Sequence, residues 1–125
     1  MTIATGYLVL GIWATVAPAN FTTILANFGE FNPHLVRDFG VCALSFGSAL
    51  MIAAFKPAWR RPALLITVLW SSLHALNHWV DAAEADPAWI GWAEASLLTI
   101  VALVLAGLAR AEHSSSETGS DSRSA

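Results

Sequence analysis

Thr67, Trp70, Ser71, His74, Asn77, His78 and Asp81 follow one another at steps of one or three residues. In a helix such steps put polar and hydrogen-bonding side chains on a single face, and the opposite face is Leu, Ile, Val and Ala. Imidazoles at this spacing can ligate a metal, stand as axial haem ligands or exchange protons. A metal would take His74 and His78. The glutamate that follows the first histidine of a zinc-peptidase motif is missing, because Ala75 holds its place, so no peptidase is implied.

Four more polar residues join this stripe when the helical hairpins are folded on paper. Placing the first tight turn near Trp59 and the second near Glu84 and Ala85 sets Glu94 level with His74, and Asp38 level with Asp81. His34 and Arg37 then sit at the same end. His34, Arg37, Asp38, His74, Asn77, His78 and Glu94 are therefore expected to form one polar cluster, spread over a depth of about 10 Å at 1.5 Å per residue. A buried Glu94 needs a partner. Arg37 is long enough to supply one, to Glu94 or to its neighbour Asp38. The cluster could hold a metal or haem, hydrogen-bond a quinone or a lipid head group, or simply cross-link the helices.

The elements that position these residues follow from the composition. Of 125 residues, 56% are hydrophobic and 12% charged, against about 25% charged in a soluble domain. Mean hydropathy is +0.59. This excludes a nucleic-acid binder, a disordered chain and, with Cys42 the single cysteine, a disulfide scaffold. What remains is an integral membrane protein of one domain. Apolar segments at about 3–19, 35–55, 62–80 and 88–108 are long enough, or nearly so, to cross a bilayer. Pro18 kinks or ends the first, and the lack of any Lys or Arg before Arg37 argues against a cleaved signal peptide.

Between the first two segments, Phe21, Ile24, Leu25 and Phe28 recur at i, i+3, i+4 and i+7. They predict a short amphipathic helix lying on the membrane surface. Gly40, Ala43, Gly47 and Ser48 predict close helix packing. Cys42 reads as a small buried hydrophobe. Residues 111–125 are rich in serine and predict a disordered tail.

Orientation follows from the loops. Lys56–Arg61 carries three positive charges and Asp81–Pro87 three negative ones. The first loop is expected in the cytoplasm and the second outside, with both termini cytoplasmic. Trp59 then marks the inner interface, and Trp79, Trp89 and Trp92 the outer one.

The run His34-Leu35-Val36-Arg37-Asp38-Phe39-Gly40, followed by Leu44 and Gly47, together with His74-Ala75-Leu76-Asn77-His78-Trp79-Val80-Asp81, resembles the small four-helix bacterial membrane proteins grouped as DoxX-like. The resemblance covers residues 3–110. It implies the fold, draws attention to the two histidine-containing runs and supplies no reaction.

The expectation is an all-α, up-and-down bundle of four transmembrane helices over residues 1–110, with a short interfacial helix after the first. It is placed in the inner (plasma) membrane as a multi-pass protein. Its function is expected to be binding of a small ligand, or service as an accessory subunit or homo-oligomer, through the outer polar site. The alternative is a membrane redox protein holding haem, metal or quinone there.

Overall fold

The protein is described from a computed structural model, which covers the backbone of residues 1–121 and the side chains of residues 1–114. These residues are all-helical: α1 (Thr2–Val16), α2 (Pro18–Leu25), α3 (Pro33–Phe55), α4 (Pro57–Asp81) and α5 (Ala88–Asp121), with a 3-10 turn at Ala82–Glu84 after α4.

Proline sets three of the starts. Pro18, Pro33 and Pro57 each occupy the first turn of their helix, where the missing N–H has no helical partner to lose. At α3 the side chain of Asn32 completes the start, accepting from the backbone N–H of His34 at 3.1 Å and of Leu35 at 3.2 Å, as an N-cap does.

The first apolar segment departs from the expected 3–19. α1 stops at Val16, and α2 leaves it at an angle of 119°. The residue before a proline avoids the helical region, and Ala17 sits at φ −130°, ψ 60°. The amphipathic stretch after the first segment is thus a separate helix, as its periodicity predicts, but it starts at Pro18.

The third segment also differs from the expected 62–80. α4 begins at Pro57, a single residue after α3, and Pro62 lies inside it. Lys56, Arg60 and Arg61 read as a loop because they are charged, yet Arg60 and Arg61 belong to the first turns of α4. Arg60 Nε donates back to the Ala53 carbonyl at 3.4 Å. Beyond residue 110, the expected tail is helical in its backbone as far as Asp121. Glu112 lies on that extension, its Oε1 3.6 Å from Arg60 Nη1. The last four residues of that expected tail, 122–125, lie outside the described residues.

α1 packs chiefly on α3, and α4 on α5, with a smaller α3–α4 contact. The α1–α3 seam is made by small residues. Gly40, Ala43, Gly47 and Leu50 form the buried face of α3. A Cβ on Gly40 would meet Thr15 Oγ1 and lie 2.9 Å from the Gly11 carbonyl oxygen, and one on Gly11 would lie 2.8 Å from the Gly40 carbonyl oxygen. The two backbones therefore touch, the geometry small residues permit. Ser48 faces away from this seam, and Cys42 is exposed. Ala4, Tyr7, Ala43, Leu50, Ala53, Ala63, Leu64, Leu105 and Ala109 form the core where α1, α3, α4 and α5 meet.

Among the described residues, two helices are long and apolar enough to cross a membrane: α3, and α5 over Ala88–Ser114, with mean hydropathies of 1.7 and 1.9. α1 and α2 meet the same test only as a bent pair. α4 has the length, but its polar stripe lowers its hydropathy. Its other face is apolar and uncovered: Leu65, Ile66, Leu69, Leu73, Leu76 and Val80 are all exposed. An uncovered stripe of this kind suits contact with lipid.

Candidate functional site

The polar face of α4 points inward, as its spacing predicts. Thr67 and Ser71 are buried, and each donates its hydroxyl to the carbonyl four residues earlier, at 2.7 and 2.6 Å. Above them the aromatic and imidazole rings form a column. Trp70 stacks on His74 with centroids 4.7 Å apart and planes at 19°. Phe39 stacks on the same imidazole at 5.5 Å. His74 meets His78 edge-on at 4.7 Å, and Phe28 meets His78 edge-on at 5.2 Å.

The column borders a cavity of ≈ 420 Å³ between α2, the loop after it, the start of α3, the end of α4 and the start of α5. Its walls are largely apolar, with Phe21, Leu25, Phe28, Phe39 and Leu97 among them. Polar groups collect on the α4–α5 wall: His74, Asn77, His78, Asp81 and Glu94. An apolar cavity of this size with a few convergent polar groups is the form of a small-molecule site.

His78 and Glu94 are the innermost polar pair. His78 Nδ1 lies 3.5 Å from Glu94 Oε2, with side chains 17% and 13% exposed. That separation is within ion-pair reach, but it does not make a hydrogen bond. His78 Nδ1 and both Glu94 oxygens are buried without any protein hydrogen-bond partner. Buried polar atoms are nearly always paired, so three such atoms on one cavity wall mark a place where a bound molecule can hydrogen-bond.

The seven residues expected to form one cluster divide into two groups. His74, Asn77, His78 and Glu94 line the cavity, whereas His34, Arg37 and Asp38 do not. His34 Nε2 lies 3.5 Å from Asp38 Oδ2, and the two side chains are 86% and 61% exposed. Arg37 is exposed as well, and the partner of Glu94 is His78, not Arg37. Within the cavity group Asn77 is the most peripheral, donating weakly to Asp81 Oδ2 at 3.4 Å.

Two features of the fold divide the expected cluster. With α4 starting at Pro57, His74 meets Phe39, whereas a turn at Trp59 would set it beside Ser45, more than one and a half turns further along α3. Depth also says nothing about direction around the helix axis, and His34, Arg37 and Asp38 lie off the inward face of α3. Among the described residues, no group of three His, Cys, Asp or Glu side chains is arranged to hold a metal ion.

Thr22 and Phe39 belong to the site but carry no mark of it in the spacing of the sequence. Phe21, Leu25 and Phe28 carry the apolar periodicity onto the cavity wall, while Ile24 of the same pattern is exposed. The loop that brings Phe28 over His78 is tied to the turn between α4 and α5. Asn27 Nδ2 donates to the Asp86 carbonyl at 3.0 Å, Asp86 N–H donates to the Asn27 carbonyl at 3.1 Å, and Phe28 and Ala85 form a β-bridge. Beside this end, Trp79 Nε1 donates to Thr99 Oγ1 at 2.9 Å, and its ring meets that of Trp92 at 5.9 Å.

Comparison of the chain with protein-family models, with curated proteins and with solved structures gives no match.

Proposed function

We propose that this chain is an integral membrane protein that binds a small, mostly apolar molecule in the cavity beside α4, with a polar group of that molecule against His78 and Glu94. His78 Nδ1 and the Glu94 carboxylate, buried at one wall of an apolar space without a hydrogen bond to the protein, carry the reading. In this reading α1, α3, α4 and α5 form an up-and-down four-helix bundle in the plasma membrane, α2 lies at its outer surface, and both termini are cytoplasmic. The loop charges and the outer tryptophans support that orientation. Kinship with the DoxX-like membrane proteins is proposed on the two histidine-containing runs. An accessory role beside another membrane protein, or as a homo-oligomer, uses the same site.

A second reading is a membrane redox protein holding quinone, haem or metal there. The stacked Trp70–His74–Phe39 column favours it. Quinone suits the apolar walls best, since a metal would need a third protein ligand beside His78 and Glu94.

The test is to purify the protein in native lipid, record its absorption spectrum and metal content, and identify what organic solvent extracts from it. A colourless, metal-free protein that releases a small molecule, and releases none as His78→Gln or Glu94→Gln, is the expected result. A haem spectrum or bound metal would favour the second reading. Identical extracts from wild type and variants would sink both.

A further inference from the structure

Thr22 lies on α2, on a different wall of the cavity from His78 and Glu94, and is 8% exposed. Its hydroxyl is buried without a hydrogen-bond partner. That is unusual for a helical threonine, which ordinarily donates to the carbonyl four residues earlier. Thr5, Thr15, Thr23, Thr67 and Thr99 all do so here, at 2.7 to 3.3 Å. Thr22 has the Pro18 carbonyl at that position and does not use it.

We propose that Thr22 is a second polar anchor of the cavity, and that the bound molecule is a compact ring system with a hydroxyl or carbonyl at each of two ends. This rests on the cavity being a ligand site. A molecule with one polar head would satisfy His78 and Glu94 and leave the Thr22 hydroxyl buried and unpaired, or the reverse. A molecule with polar groups at both ends satisfies both walls. Phe21, Phe39 and His74 all line the cavity and lie in series, with ring centroids 5.6 and 5.5 Å apart, so that they form one aromatic wall along its body. A hydroxyl can both donate and accept, so Thr22 takes either a hydroxyl or a carbonyl.

The experiment measures binding of four rigid probes to the protein in lipid nanodiscs, corrected for partition into empty discs. The probes are naphthalene, 2-naphthol, 2,6-dihydroxynaphthalene and 1,5-dihydroxynaphthalene. At least one diol should bind about fivefold more tightly than 2-naphthol, equivalent to about 1 kcal/mol. Thr22→Val, which keeps the shape and removes the hydroxyl, should abolish that preference and leave 2-naphthol binding unchanged. Thr22→Ser, which restores the hydroxyl, should retain it. Equal affinity for 2-naphthol and both diols, or a preference that survives Thr22→Val, would overturn the two-ended ligand while leaving the cavity a binding site. Failure of all four probes to bind would overturn the binding site, and the second anchor with it.

Discussion

Tyr7 Oη lies 2.6 Å from Ser71 Oγ, joining α1 to α4 through a buried hydrogen bond. Ser71 has one hydroxyl hydrogen, and it is directed at the Thr67 carbonyl at 2.6 Å, so Tyr7 is the donor. Tyr7→Phe leaves the Ser71 oxygen without that donor. Interhelical hydrogen bonds in membranes average about 0.6 kcal/mol and reach about 1.7. Tyr7→Phe should therefore lower stability within that range, and combining it with Ser71→Ala should cost less than the sum of the two. Unfolding titrations of the four proteins in a double-mutant cycle check this; strict additivity would show that the pair is not coupled.

The α1–α3 seam gives a sharper prediction. A Cβ on Gly40 would collide with Thr15 and with the backbone of Gly11, whereas one on Gly6 or Gly107 would meet nothing within 4 Å. Gly40→Val should therefore destabilise the protein by about 3 kcal/mol, at the upper end of overpacking costs. Gly6→Ala and Gly107→Ala should be neutral or slightly stabilising through helix propensity. Thermal unfolding of the three variants distinguishes these outcomes.

The seam was legible in the sequence because Gly40, Ala43 and Gly47 recur at helical spacing, and the inward face of α4 was legible for the same reason. Ser48 was assigned to the seam by its size alone and lies outside it. Periodicity fixes which residues share a face. It does not fix where a helix starts when charged residues occupy its first turns, as Arg60 and Arg61 do. It also does not fix which face of α3 meets α4. His34, Arg37 and Asp38 were misplaced for that reason. Thr22 had no signal in the sequence, since what distinguishes it is a hydrogen bond it does not make.

Glu94→Gln separates binding from folding. The amide keeps the shape of the carboxyl group and removes a buried ionisable group that has no hydrogen-bonding partner in the protein. Stability should stay within about 1 kcal/mol of wild type or rise. Loss of a charged hydrogen-bonding group, worth about 1.5–3 kcal/mol, should weaken ligand retention by tenfold or more. His78→Gln should behave in the same way. His74→Gln should lose ligand less steeply, because the His74 imidazole acts through its ring faces. Parallel measurements of stability and extracted ligand check all three; instability that accounts for any loss of ligand would point to cross-linking alone.

Orientation can be read by cysteine labelling in a Cys42→Ser background, since Cys42 is the single cysteine. Ala83, in the 3-10 turn after α4, and Ala58, in its first turn, lie at opposite ends of that helix. An impermeant reagent added to intact cells should label Ala83→Cys and spare Ala58→Cys. The reverse pattern would invert the assignment of the termini.

α3 and α4 are separated by Lys56 alone, while at the far end the two helical pairs are joined through Asn27 and Asp86 by two hydrogen bonds. Lys56 is therefore the pivot of a long lever. His78 lies about 30 Å along α4 from that pivot, at 1.5 Å per residue. A change of about 4° in the angle between α3 and α4 would then move it by about 2 Å. The same rotation barely displaces Ala53 and Ala63, which lie close to the pivot in the alanine-lined core. Any change of that angle is therefore magnified at the cavity, where the Asn27–Asp86 hydrogen bonds and the Phe28–Ala85 bridge hold the two pairs together against it.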